Sequence, residues 1–160
     1  GKLSPLFIEN IDIDELAQYL KPSGYYNQKA IKLKALNKWF KSYNYNIDLA
    51  KKESKGKLLS ELLEIKGIGA ETADCILTYA LEKPSFVIDT YTRRLFSRIG
   101  FQVPKEYDEF KEKFEYALRK DTQLYNEYHA LIVRHCKAHC LSVPNCENCP
   151  IESICMKIGI

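Results

Sequence analysis

Leu58-Leu59-Ser60-Glu61-Leu62-Leu63-Glu64-Ile65 runs into Lys66-Gly67-Ile68-Gly69 and on into Ala70-Glu71-Thr72-Ala73-Asp74. The apolar residues on either side recur at helical spacing, so two short helices flank a tight turn. Glycine at two alternating positions permits backbone conformations closed to other residues and lets another backbone approach closely. The turn also sets amides at the start of the second helix, where the macrodipole favours an anion. Such a site can hold a DNA phosphate without reading sequence. An ordinary helical hairpin would carry the same G-x-G. Lys66 at the tip, and the basic stretch before it, favour DNA.

Outward from the hairpin the pattern stays helical. Asp12-Ile13-Asp14-Glu15 has the form of a capping box and predicts a short helix with Leu16, Tyr19 and Leu20 inward. Pro22-Ser23-Gly24 breaks it. From Asn27 to about Tyr43, the residues Leu33, Leu36, Phe40 and Tyr43 form a helical stripe. Asn44 to Gly56 is polar and predicts a loop. Downstream, helix resumes from about Glu71 to Leu81 with Ala73, Ile76, Leu77 and Ala80 inward, and Pro84 ends it. Tyr91, Leu95 and Ile99 mark the next helix, closed by Gly100. Tyr107, Phe110, Phe114, Ala117 and Leu118 mark an amphipathic helix. Leu124, Tyr128, Leu131 and Ile132 mark another. No stretch alternates as a strand would, so the fold class is all-α. The helical region spans 1–135, and a cysteine segment follows at 136–160.

The chain has 160 residues, of which 46% are hydrophobic and 28% charged. That composition buries a core without disulfides and excludes disordered, collagen-like and low-complexity chains. No apolar run is long enough for a membrane span and no secretory h-region is present, which predicts a cytosolic chain with no membrane partner. The chain begins Gly1-Lys2-Leu3 and its one methionine is Met156, which suits a shortened form. The net charge of +3 says little alone, but Gln28 to Lys57 holds nine lysines against two acids. That stretch is either a solvated lysine face or a phosphate-facing surface.

Asp89 follows Phe86-Val87-Ile88 and opens a helix, where aspartate is a favoured N-cap. A capping site also keeps a carboxylate ionised. Cys75 stands alone, while Cys136, Cys140, Cys146, Cys149 and Cys155 fall in the last quarter of the chain. A secreted disulfide scaffold would scatter its cysteines through a shorter chain. From Cys140 to Cys155 the spacing is C-x5-C-x2-C-x5-C, and four thiolates that close together can hold a metal centre. Zinc is the plain reading of four cysteines. Zinc ribbons set two C-x2-C knuckles well apart, however, and one compact loop fits a cubane cluster better. Cys136 is an alternative first ligand. Cys136 and Cys75 otherwise read as free thiols. A mixed site using His135 or His139 is a further arrangement, and His129 is the remaining histidine.

Taken together, three features in this order resemble the endonuclease III superfamily of DNA glycosylases. They are the hairpin from Ile65 to Asp74, the segment Glu82-Lys83-Pro84-Ser85-Phe86-Val87-Ile88-Asp89-Thr90 with Tyr91-Thr92-Arg93-Arg94, and the cysteine tail. The resemblance runs from about Leu16 to Met156. Pro22-Ser23-Gly24-Tyr25-Tyr26-Asn27-Gln28-Lys29-Ala30 is similar to a segment of the endonuclease III-like 3-methyladenine DNA glycosylases, as is Lys66-Gly67-Ile68-Gly69 followed by Glu71, Ala73 and Asp74.

The resemblance implies DNA contact at Lys66, Gly67, Ile68 and Gly69 and a catalytic role for Asp89. Glycosidic cleavage develops positive charge on the deoxyribose, which a fixed anion stabilises, and the same carboxylate could orient or deprotonate a water. It also implies a structural 4Fe-4S cluster on Cys140, Cys146, Cys149 and Cys155, flanked by Lys137 and Lys157. The implied partner is double-stranded DNA carrying a damaged base, met by a monomer in the cytoplasm or nucleoid. The superfamily spacing is one residue longer in the first cysteine gap. Bifunctional members carry a lysine that forms a Schiff base where this chain has Glu71, and a carboxylate cannot form an imine. The family also places a helix ahead of this region, which carries part of the base pocket and fills the gap left by the flipped nucleotide. The chain is expected to lack that helix.

Four functions compete. They are a monofunctional glycosylase for damaged, alkylated bases, a bifunctional glycosylase and AP lyase, a non-catalytic DNA-binding module, and a small iron–sulfur electron carrier. Asp89 favours a glycosylase over the module, Glu71 disfavours the lyase, and the hairpin with its lysines disfavours the carrier.

Overall fold

The computed structural model describes residues 4–160, so the start Gly1-Lys2-Leu3 lies outside the described residues. Among the described residues every regular element is helical. The chain divides into two compact units, one ending at Leu81 and the other spanning Glu82–Ile160.

The first unit opens with α1 (Pro5–Asn10), a helix the sequence pattern did not reveal. Ser4 caps it by accepting from the Phe7 amide at 3.1 Å, and Pro5 takes a first-turn position where no amide is needed. Asp12 caps α2 (Ile13–Leu20) through the amides of Asp14 and Glu15, as the capping box predicts. Leu16 and Ala17 are its buried residues, whereas Tyr19 is 47% exposed and lies edge-on to the Phe7 ring. After a 3-10 turn at Lys21–Ser23, Gly24 and Tyr25 both take positive φ and turn the chain into α3 (Tyr26–Ser42). α3 packs on α1, α2 and α5.

The polar stretch Asn44 to Gly56, expected as loop, contains the short α4 (Ile47–Lys51). Asn46 caps it and Ala50 is fully buried, so packing holds a helix too short to stand alone. α5 (Lys55–Glu64) and α6 (Ala70–Cys75) flank the hairpin and bury Leu58, Leu62, Ala73 and Leu77 in one core. α6 continues as a π-helical turn over Ile76–Ala80, in which the Leu81 amide reaches back to Ile76 at 3.0 Å. The wider turn changes the phase. Thr78 and Leu81 turn inward, and Ala80, expected inward, is exposed.

The second unit holds α7 (Thr90–Ile99), α8 (Tyr107–Ala117) and α9 (Thr122–Ala138), then the tail with a 3-10 turn at Glu152–Ile154. Gly100 ends α7 at φ 117°, as expected. The core centres on Phe86, which is fully buried and stacked on Phe114 with centroids 4.2 Å apart. Burying such a ring stabilises the unit by roughly 2–3 kcal/mol. On α9 the buried positions are Tyr125, Ile132 and Cys136, while Leu131, expected inward, is 52% exposed. The tail returns across the end of α7, where the Met156 amide donates to Ile99 O at 3.2 Å and the Met156 side chain covers Gly100. No helix among the described residues is long and apolar enough to cross a membrane.

Candidate functional site

At the hairpin, α5 ends at Ile65, and the Ile68 amide donates back to Ile65 O at 2.9 Å. Gly67 takes φ 90°, which an L side chain rarely adopts, and a Cβ there would come within 3.0 Å of the Lys32 methylenes. Ile68 is buried in the core of the first unit and anchors the loop. Lys66, Gly67 and Gly69 are exposed. Gly69 is the N-cap of α6 at φ −96° and ψ 177°, and no side chain caps that helix. The first amides of a helix have no intrahelical partner, so this end is left to solvent or an external acceptor. Glu71 stands exposed in the first turn.

The lysine stretch divides. Lys34 donates to Glu9 O at 3.1 Å and to Ile11 O, while Lys41 pairs with Glu9, whose other oxygen accepts from Tyr45 at 2.7 Å. Lys29 donates to Ser23 O, and Lys57 pairs with Glu53 at 2.9 Å. These four lysines serve the first unit's own backbone and carboxylates.

In the second unit Asp89 is the N-cap of α7. Its Oδ1 accepts from the Thr92 amide at 2.7 Å and the Thr92 hydroxyl at 2.9 Å. Its Oδ2 lies 3.3 Å from His129 Nε2 of α9, and both side chains are mostly enclosed, 13% and 12% exposed. The strand of loop before it is tied to α8, because the Phe86 amide donates to Glu115 at 3.0 Å and the Ile88 amide to the Tyr107 hydroxyl at 3.3 Å. Burial raises the Asp89 carboxyl. The close approach of His129, then the hydrogen bonds from the Thr92 amide and hydroxyl, outweigh it and hold the group below the usual carboxylate range. Asp89 thus sits between the first turn of α7 and the His129 ring of α9.

The tail brings Cys140, Cys146, Cys149 and Cys155 to the lining of one small pocket, closed by Leu95, Ile151 and the two histidines His135 and His139. All six cysteines are free of disulfides. Arg98, buried at the end of α7, draws the tail in. It donates to Cys140 Sγ at 3.3 Å, Leu141 O at 2.6 Å and Ser142 O at 2.9 Å, while its own carbonyl accepts from Cys155 Sγ at 3.4 Å. Cys149 Sγ lies 3.7 Å from His135 Nε2, and His139 Nδ1 is buried with no hydrogen-bond partner. Cys136 is fully buried with its thiol 3.5 Å from Tyr91 O, outside the lining of that pocket though beside Cys140, and burial pushes the thiol up to about 11. Among the described residues no three His, Cys, Asp or Glu side chains form a group that could hold a single metal ion. Four thiols share that lining, a donor set that a thiolate-bound metal centre would use.

His129 escaped the sequence pattern. Its signal was the stripe Tyr125, His129, Ile132 and Cys136, at i, i+4, i+7 and i+11 on the inward face of α9. Arg98 had no such signal, since its partners lie in an irregular tail.

An all-helical chain with a glycine hairpin and a carboxylate fixed at a helix head has the fold of an enzyme that acts on glycosidic bonds in DNA. The profile described as HhH-GPD superfamily base excision DNA repair protein matches residues 3–120, and the chain belongs to that superfamily. A Methanocaldococcus jannaschii protein that bears the name of a DNA repair glycosylase is 47% identical over 157 residues, covering 96% of this chain and 71% of the relative. Endonuclease III of Sulfolobus acidocaldarius is 31% identical, covering 97% of this chain and 68% of its own length. The crystal structure of H. pylori 3-methyladenine DNA glycosylase, MagIII, bound to 1,N6-ethenoadenine superposes with a TM-score of 0.73 at 31% identity. It covers 84% of this chain and 67% of MagIII.

Proposed function

We propose that this chain is a monofunctional DNA N-glycosylase that hydrolyses the bond between deoxyribose and an alkylated base. The observation that carries the reading is Asp89, a carboxylate kept ionised by burial-resistant hydrogen bonds at the head of α7. As positive charge develops on the sugar, a fixed anion beside it lowers the barrier, and its free lone pairs can orient the attacking water. Lys66, Gly67 and Gly69 offer a positive tip and an uncapped helix end to a backbone phosphate, with Ile68 anchoring the turn from below. Glu71 occupies the position of the Schiff-base lysine of bifunctional relatives, so the product is an abasic site with the strand intact. Likeness to MagIII supports alkylated purines as the substrate class.

The tail 136–160 is read as a cluster loop, with Cys140, Cys146, Cys149 and Cys155 holding a 4Fe-4S cluster and Cys136 left as a buried thiol. The cluster would supply a covalent cross-link of the tail rather than redox chemistry, and Arg98 prepares the same closure through hydrogen bonds. The partner is double-stranded DNA, bound by a monomer.

The test is base release by the natural protein from duplexes that each carry one lesion, either 3-methyladenine, 1,N6-ethenoadenine or thymine glycol. Free alkylated base with no borohydride-trapped protein–DNA adduct is expected. An adduct overturns the monofunctional reading, and release of thymine glycol alone overturns the substrate class. Elemental analysis should find iron with inorganic sulfide, and zinc without iron would sink the cluster.

A further inference from the structure

We propose that His129 is a positioning residue for the Asp89 carboxylate, holding from α9 the oxygen that α7 leaves unheld. The inference rests on the reading of Asp89 as the carboxylate that acts at the sugar. The two oxygens of Asp89 have separate attachments. Oδ1 takes both hydrogen bonds from Thr92, one turn along α7, and Thr92 is itself fully buried. A carboxylate held through one oxygen can still swing about that contact. Oδ2 lies 3.3 Å from His129 Nε2, on a different helix packed against α7. Two anchors on two helices fix the plane of the group as well as its place, and misplacement of a reacting group by about 1 Å is costly.

The neighbouring charges leave this task to His129. On α7, Arg93 donates to Pro104 O at 2.7 Å and lies over the Phe110 ring of α8. Arg94 donates to Cys140 O at 2.8 Å and lies over Tyr91. On α9, Cys136 faces Tyr91 O, and Tyr128 is directed to the aromatic core at Phe86 and Phe114. From α8, Glu115 and Tyr107 hold the backbone of Phe86 and Ile88. His129 Nε2 is buried and approaches Oδ2 at 3.3 Å without full hydrogen-bond geometry, and a small ring rotation lets it donate either as the cation or as the neutral tautomer with the proton on that nitrogen, so the contact does not require a charge.

Two measurements on the same variants test this. Carbon-13 titration of the Asp89 carboxyl needs no substrate. In His129→Ala its midpoint should rise toward the ordinary carboxylate value, and His129→Gln, which keeps an amide donor, should bring it back. An unmoved midpoint in a folded His129→Ala overturns the proposal. Single-turnover base release is then compared on the duplex from which wild type releases base. His129→Ala should slow release on the order of tenfold or more. The acid limb of its pH profile should move up, duplex affinity should stay unchanged, and His129→Gln should restore most of the rate. If Asp89→Asn is impaired and His129→Ala is not, positioning by His129 is wrong while the role of Asp89 stands. If Asp89→Asn releases base at the wild-type rate, both fall.

Discussion

Two helices in this chain begin at loops and begin in opposite ways. α6 opens at Gly69, where no side chain meets the first amides. α7 opens at Asp89, where the chain supplies its own anion at 2.7 Å from the Thr92 amide. The same physics acts at both, since unpaired amides and the macrodipole draw negative charge to a helix start. A start left open can take a phosphate from outside. A start already filled holds a carboxylate in a defined place and keeps it ionised. In the proposed function the first junction grips the DNA backbone and the second does chemistry at the sugar.

The largest expected effect tests the filled junction. Asp89→Asn keeps a capping side chain but loses the charge, so base release should fall roughly a hundredfold or more while duplex affinity persists. Its stability should also lose a pH dependence. The folded-state carboxyl of Asp89 is held low, so its contribution is present above the ordinary carboxylate value and lost as pH falls through the folded one. Thermal melts across acid pH should therefore be flatter in Asp89→Asn, and equal slopes would show that the cap carries no net charge effect.

Gly67→Val comes next and acts through the fold. At φ 90°, with an added Cβ only 3.0 Å from Lys32 Cγ and Cε, a branched side chain should cost about 2 kcal/mol in a denaturant melt. Gly69 makes the sharper test of the open junction. Its φ is ordinary and nothing lies within 4 Å of an added Cβ. Gly69→Asp would turn it into a junction like that at Asp89. Stability should hold or rise by a few tenths of a kcal/mol, while duplex affinity should fall about tenfold as the carboxylate takes the place of the phosphate. Equal affinity would remove the helix end from the DNA contact. The smallest effect is expected for Lys66→Ala, a severalfold loss of affinity with the salt slope reduced by about one. An unchanged slope would mean that Lys66 meets no phosphate.

Much of this was legible residue by residue. The hairpin showed in Gly67 and Gly69, because a left-handed turn and a cap are decided within a few residues. Asp12 and Asp89 read as caps because their partners, Glu15 and Thr92, lie three positions on. Gly100 read as a helix end for the same reason. Other features had no local mark. α4 forms because Ala50 is fully buried, and its own five residues would not hold a helix. The π turn at Ile76–Ala80 exchanged Thr78 for Ala80 on the inner face, a choice made by packing around Leu77 and Leu81. The lysine stretch was visible as charge, but the diversion of Lys34 and Lys41 to Glu9 and its neighbours was not.

The sequence by itself determined the helical class, the hairpin, the caps and the spacing of the four cysteines, since each depends on residues within about one or two turns of one another. Tertiary structure alone decided that His129 meets Asp89, that Arg98 gathers the tail, and that Cys136 is left out of the pocket the other four line. Those pairings join residues far apart in the chain. Their energy comes from burial that excludes water from polar groups, and no periodicity records which distant partner then satisfies them.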